Sequence, residues 1–293
     1  MRDSTETQTL AIDGGGTRCR IALQDAGERL VSEFGPANTA TDFDNAVRCL
    51  LDGLNATAQN ADMSFDTLCA LPAFVGLAGI TGKAEAKRMA NALPLKNARY
   101  ADDRRAALRG ALGRRDGLIA HCGTGSFFAS RIAGDEQFAG GWGARLGDEA
   151  SAQWVGRKAL AKVLQHHDGF VASSPMIEDL QSRFGDTGSL VSFAQDASPA
   201  ALGALAPCVT QHAQQGDVVA VSILQSAGDH IASSLRQMAW KPGLAICLTG
   251  GIGPFFAPYL AHEMAQDLID PLGEPLDGAI ALSQEIEVTH GYC

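Results

Sequence analysis

No two of the seven cysteines, at 19, 49, 69, 122, 208, 247 and 293, stand closer than 20 positions. An odd count without CxxC spacing argues against a disulfide framework, a zinc site or an iron–sulfur cluster. A reducing cytoplasm is the compartment this usage implies. The opening MRDSTETQT is polar and lacks the apolar core of a secretory signal. One 21-residue stretch, Pro242 to His262, has no Asp, Glu, Lys or Arg, but its four Gly and three Pro argue against a membrane span. Basic runs are scarce, and the net charge is −10. Such a chain is a poor partner for nucleic acid or an anionic membrane. The exception, RRAALRGALGRR at 104–115, has the Ala/Leu spacing of a helix with a solvated face. His166 and His167 are adjacent, so they cannot share a helix face as metal ligands. Low-complexity segments are absent.

What is present is an ordinary globular composition, 46% hydrophobic and 19% charged over 293 residues. That length suits one large or two ordinary domains. Residues 1–118 carry 15 basic and 15 acidic side chains, and residues 119–293 carry 8 and 18. The charge break supports a division into domains 1–118 and 119–293.

The first hundred residues alternate between strand and helix patterns. TLAID (9–13), RIALQD (20–25) and RLVSEF (29–34) read as strands joined by tight turns, hence antiparallel hairpins. A helix from Thr41 to about Ala61 follows, then a strand (73–79), a helix (83–93), a strand (98–102) and a helix (103–112). The order βββαβαβα implies an α/β layer fold with the later strands parallel. GLIAHCGTGS (117–126) with FFASRIA then repeats the strand–turn–strand unit roughly 110 residues later. A third strand and glycine turn is LAICLTGGIG (244–253). Helices are expected over 148–167, with Asp148 in an acidic first turn, over 217–239, and over 276–286.

The glycine turns are DGGGT (13–17), CGTGS (122–126) and TGGIG (249–253). Without a Cβ, such turns let successive backbone N–H groups approach an anion. Three of them, each after an apolar strand and two with hydroxyls alongside, point to phosphate binding. A Walker A loop does not fit: GLAGITGKA (76–84) has five residues between its glycines, and Ala84 stands where Ser or Thr is required. GTGSFF lacks the last glycine of a dinucleotide fingerprint and opens no helix.

The arrangement resembles the sugar-kinase, actin and heat-shock-chaperone ATPase superfamily, in which two ribonuclease-H-like domains close on ATP. DGGGTRCR, GTGS and GGWGARLGDEAS resemble its BadF/BadG/BcrA/BcrD ATPase family, most closely the N-acetylglucosamine and glucosamine kinases. The likeness runs from about residue 9 to 285. It implies an α/β fold of two ribonuclease-H-like (actin-like ATPase) domains with a central cleft, and transfer of the γ-phosphate of ATP to the 6-hydroxyl of an amino sugar.

By that resemblance, Asp13 positions Mg²⁺ through water, and Gly15, Gly16 and Thr17 form the first phosphate loop. Gly123, Thr124 and Gly125 form the second, and Gly250 and Gly251 the adenosine loop. Asp103 resembles the catalytic base. Asp102 is its rival, although its place as the last strand residue favours Asp103. Asn38, Ser126, Gly141, Trp142, Gly143 and Asp148 resemble the sugar pocket. Phe127 stands where the animal-type enzymes have Asn, and Ala144 where they have His, which leaves open the choice between N-acetylated and free amine. The resemblance also implies a small-molecule amino-sugar substrate and a homodimer. Two other readings share the fold: an ATPase activator with a bridging iron–sulfur cluster, which the cysteine spacing disfavours, and a non-catalytic sugar or nucleotide sensor, which the retained Asp13, Asp103 and Asp148 disfavour.

Overall fold

A computed structural model describes residues 8–287. The elements in chain order are β1 (Thr9–Gly14), β2 (Cys19–Asp25), β3 (Glu28–Phe34), α1 (Phe43–Asn60), α2 (Phe65–Ala70), β4 (Pro72–Leu77), α3 (Lys83–Ala92), β5 (Asn97–Asp102) and α4 (Asp103–Leu112). There follow β6 (Gly117–Cys122), β7 (Ser126–Ile132), β8 (Asp135–Gly140), α5 (Ala152–His167), α6 (Pro175–Phe184), α7 (Thr187–Asp196), α8 (Pro199–Gly203), α9 (Ala206–Gln214) and α10 (Val218–Gln237). The chain closes with β9 (Ala245–Thr249), a 3₁₀ segment (Gly253–Tyr259), α11 (His262–Ala265) and α12 (Pro275–Ser283).

The chain divides into two compact units. Of the described residues, one unit holds those up to Arg114 together with 272–287, and the other holds Arg115–Pro271. This corrects the expected division into 1–118 and 119–293. The physical reason is α12, which packs on α4 and β1 of the first unit. Leu276, Ala279 and Ile280 of α12 share an apolar cluster with Ala11, Phe74 and Ala106. The helices approach closely because Gly278 and Gly110 lack side chains: a Cβ on Gly278 would stand 1.9 Å from the Ala106 carbonyl oxygen, and one on Gly110 2.2 Å from that of Glu274.

The first unit is built on a five-stranded sheet in the order β3-β2-β1-β4-β5. β1, β2 and β3 pair antiparallel, and β4 and β5 continue in parallel from β1. One face packs under α1 and α3 through Leu10, Ile12, Leu50, Leu54 and Met89. The second unit repeats the theme in a four-stranded sheet, β8-β7-β6-β9, antiparallel over β6–β8 and parallel between β6 and β9. The repeat seen in the sequence is therefore a repeated sheet topology. Its helical core, on α5, α6, α9 and α10, is continuous with the sheet through Leu118, Ala120 and Phe128.

Most helix ends follow side-chain caps. Asp42 caps α1, Asp102 α4, Ser151 α5, Ser174 α6 and Asp217 α10, each accepting a backbone N–H that the first turn leaves unpaired. α5 does not begin at Asp148 as expected. Asp148 and Ala150 have φ of +62° and +65°, so the helix cannot start before the Ser151 cap.

Candidate active site

In the first unit, Asp13 lies near the end of β1, and the hairpin register sets it opposite Arg20 on β2. Arg20 Nη2 donates to Asp13 Oδ2 at 2.8 Å, with both side chains mostly buried. Arg20 also reaches Glu274, the residue before α12. The DGGGT turn follows: Gly15 N–H closes it on the Arg18 carbonyl, and its own carbonyl accepts from Ala37. Among the described residues no hydrogen bond takes the N–H of Gly16 or Thr17. Both residues are exposed, so their N–H groups could take an anion.

Asn38 belongs to the same neighbourhood. Its Oδ1 accepts from the N–H of Ala40 and Thr41, which fixes the side chain and leaves the amide nitrogen for a ligand. A Cβ on Gly16 would stand 3.7 Å from that nitrogen, so the sugar candidate and the phosphate loop meet.

Asp102 and Asp103 part company at the β5–α4 junction. Asp102 caps α4 through the Arg104 N–H at 2.9 Å and holds the Arg104 guanidinium. Its oxygens are thus committed. Asp103 begins the helix, and burial and the nearby carboxylates Asp102 and Asp13 hold its carboxyl well above the usual range. A carboxyl raised in this way at the first position of a helix is a candidate for proton transfer near neutral pH. Mg²⁺ takes few carboxylates and keeps most of its waters, so a single carboxylate acting through water could hold it. Arg20 holds one oxygen of Asp13, and the other could serve a metal-bound water.

In the second unit the glycine turns lie against one another. Gly250, at φ +80°, packs where a Cβ would meet the Cys122 carbonyl at 2.4 Å and the Gly123 nitrogen at 2.8 Å. Ile252 N–H also donates to the Cys122 carbonyl. The second phosphate-loop candidate, Gly123–Gly125, and the adenosine-loop candidate, Gly250–Gly251, therefore form one backbone surface. Thr124 is exposed at its tip.

Gly125 has a second neighbour, Asp148, whose Oδ2 would lie 2.8 Å from a Cβ there. Asp148 is buried and accepts from Gly143 N–H at 3.2 Å. Burial raises its carboxyl, and the N–H groups of Gly143 and Ser126 offset part of the rise. A non-glycine residue in the left-handed region, holding a buried carboxylate beside a glycine loop, is strain of the sort found at sites. Gly141 and Gly143 also adopt positive φ, which turns Trp142 outward at 66% exposure. Trp142 is not core.

A cavity of about 210 Å³ opens between this loop and α10, lined by Ser126, Trp142, Asp148, Glu149, His230 and Ser234 among others. The Ser126 hydroxyl donates to the Glu149 carbonyl at 2.6 Å, which ties the strand to the loop. His230, Ser234 and Gln237 of α10 were missed by the sequence reading. They form a polar i, i+4, i+7 row on an amphipathic helix that carries other polar residues as well, so the row does not stand out in the sequence. Arg20 was missed too, although hairpin register opposite Asp13 pointed to it. Phe127 does not line this cavity; it stacks on His121, ring centroids 4.8 Å apart. His121 in turn bonds Thr249 at 3.1 Å, and burial lowers its pKa to about 4, so it is neutral at pH 7.

A family model for the BadF/BadG/BcrA/BcrD ATPase family matches residues 10–269. A glucosamine kinase of Vibrio cholerae is 27% identical over 282 residues, 95% of this chain and 96% of that one. The crystal structure of a candidate N-acetylglucosamine kinase from Chromobacterium violaceum superposes with a TM-score of 0.83 at 29% identity, covering 96% of this chain and all of that one. A glucokinase of the ROK family from Streptomyces griseus, solved with glucose and AMPPNP, has a TM-score of 0.59 at 16% identity over 94% of this chain and 98% of its own, a likeness of fold alone. The two-domain ribonuclease-H-like fold is thereby shown. No described helix is long and apolar enough to cross a membrane.

Proposed function

The chain belongs to the BadF/BadG/BcrA/BcrD ATPase family, and on that premise we propose that it is an ATP-dependent amino-sugar kinase acting on the 6-hydroxyl of glucosamine or N-acetylglucosamine. The observation that carries this reading is Asp103. It combines an elevated carboxyl, freedom from the capping bonds that occupy Asp102, and a place beside Asp13.

Phosphoryl transfer needs a phosphate cradle, charge neutralisation and a group to receive the hydroxyl proton. The N–H groups of Gly16 and Thr17, and the Gly123–Gly125 turn, supply cradles. Asp103 orients the sugar hydroxyl and accepts its proton late in the transfer. Asp13 would hold Mg²⁺ through water, and the ion would neutralise phosphate charge. Arg20 holds one oxygen of the Asp13 carboxylate and so fixes its orientation. Asn38 and Asp148 are the candidates for sugar hydroxyls, with Trp142 offering a stacking face.

The named pocket residues include two carboxylates, Asp148 and Glu149, and the lining has no Lys or Arg. That balance favours a cationic 2-amino group over a neutral N-acetyl group, and so glucosamine. The likeness to the Vibrio cholerae glucosamine kinase supports the same choice. The test is a coupled assay with ATP, Mg²⁺ and a panel of hexoses, free hexosamines and N-acetylated hexosamines. Sugar-dependent ADP should be greatest with glucosamine. ADP release that no hexosamine stimulates would overturn the assignment. A cytoplasmic homodimer is part of the proposal, to be checked by light scattering.

A further inference from the structure

Cys208 and His212 stand one turn apart on α9, and Asp179 of α6 faces them. Asp179 Oδ2 lies 3.4 Å from Cys208 Sγ and 3.2 Å from His212 Nε2. One ligand atom from each residue lies within 4.8 Å of the other two. The two separations from Asp179 match the edges of a zinc coordination tetrahedron. Bonds of about 2.3 Å to sulfur and about 2.0–2.2 Å to nitrogen and oxygen set sulfur and oxygen about 3.5 Å apart, and nitrogen and oxygen about 3.3 Å apart.

We propose that Asp179, Cys208 and His212 form a site for a zinc-class divalent cation that staples α6 to α9, with water in the fourth position. Thiolate and imidazole select zinc over the hard Mg²⁺ that the phosphate chemistry uses. The His212 side chain is largely buried and that of Asp179 is 59% exposed, so the cluster opens to solvent on one side and has an entry path. Two charged groups neighbour it. Arg183 lies one turn along α6 from Asp179, and Asp217 lies beside Cys208. Asp217 is occupied in accepting from the N–H groups of Met176, Val219 and Ala220, so it contributes field rather than a ligand.

Binding is balanced by one proton: the Cys208 thiol releases it to solvent as the metal–sulfur bond forms, while His212 offers a neutral nitrogen and Asp179 its carboxylate. Neither α6 nor α9 carries a phosphate-loop or sugar candidate, so the site is distinct from that of Asp13. No CxxC pair marks this site in the sequence. The arrangement is Cys-x₃-His on a helix, completed by a residue 29 positions upstream.

The test uses the full chain, stripped with a chelator and titrated with zinc alone. Calorimetry should show one equivalent bound, and the thermal midpoint should rise. Cobalt(II) in place of zinc should give a thiolate-to-cobalt absorption band. Outer-shell changes alone weaken metal sites about 10–100-fold, so Cys208→Ser and His212→Ala should each exceed a 10-fold loss and remove the midpoint shift. The cobalt band should vanish in Cys208→Ser. Asp179→Asn, at an exposed position that tolerates change, should weaken binding comparably and guards against misfolding of the other two. Cys49→Ser, at another half-buried cysteine, should change nothing. Failure to take up one equivalent, or uptake unaltered in Cys208→Ser and Asp179→Asn, would overturn the proposal. None of these readouts depends on turnover of a sugar.

Discussion

Arg20 Nη2 lies 2.8 Å from Asp13 Oδ2, across the hairpin that flanks the first glycine turn. The pair is more than 80% buried on each side, so it stands apart from the surface ion pairs, which contribute little. Removing one partner of such a pair strands the other charge. Arg20→Met should therefore cost about 3 kcal/mol, near the lower end for breaking a buried pair. Urea denaturation at neutral pH measures it, and a loss below about 1 kcal/mol would show that Asp13 does not need its arginine.

Asp103→Asn should lower kcat by about 10²–10⁴-fold while nucleotide binding holds. Its stability profile is equally diagnostic. A carboxyl raised in the folded state contributes stability that is fully present below its unfolded pKa, about 3.9, and lost as pH rises through the folded value. The asparagine variant should lose less stability than wild type over that interval. Denaturation midpoints measured against pH decide this, and parallel profiles would remove the buried-carboxyl account.

Asp102→Asn keeps an oxygen for the Arg104 N–H but removes the negative charge next to Asp103. The Asp103 carboxyl should then fall toward its ordinary range, because Asp102 is one of the groups that raise it. The acid limb of the kcat/KM profile should move to lower pH. An unmoved limb would assign it to a different group.

Gly250 and Gly251 separate backbone need from site chemistry. A Cβ on Gly250 meets the Cys122 carbonyl at 2.4 Å, in a left-handed conformation, whereas one on Gly251 meets nothing within 4 Å. Gly250→Ala should cost about 2–4 kcal/mol, from left-handed strain plus overpacking. Gly251→Ala should be close to neutral in stability, and any effect it has should fall on KM for ATP. Equal stability losses in a thermal melt would contradict the backbone-contact argument.

Trp142→Ala removes a ring that is 66% exposed. Stability should change by less than about 0.5 kcal/mol, while KM for the sugar rises several-fold and KM for ATP does not. A large loss of stability with unchanged sugar KM would return Trp142 to a packing role.

Much of this was legible before any coordinates. TLAID, GLIAHC and LAICLT announced strands through apolar runs closed by glycine, and the Asp102/Asp103 boundary followed from where the strand pattern gives way to Ala/Leu spacing. Other features were not local. α12 is apolar on several sides, and nothing in residues 276–286 says which sheet they cover. That is decided by the fit of Gly278 against Ala106 and of Gly110 against Glu274. Asp148 read as a helix start because an acidic residue before an apolar run usually is one. Its left-handed backbone is imposed by the turn that brings its carboxylate to Gly125 and Gly143, a tertiary constraint. The part of α10 that lines the cavity lies more than 80 residues after Asp148, and nothing local in the sequence joins the two. Phe127 leaves the sugar's identity open in the sequence, where its cross-strand stacking partner His121 is not evident.

The central claim is transfer of phosphate to an amino sugar. The most direct measurement follows γ-labelled ATP incubated with Mg²⁺, glucosamine and the purified chain, with products resolved by mass and by phosphorus resonance. The account predicts label in a hexosamine 6-phosphate, its formation abolished in Asp103→Asn. Label found only in inorganic phosphate, at a rate indifferent to sugar, would contradict it.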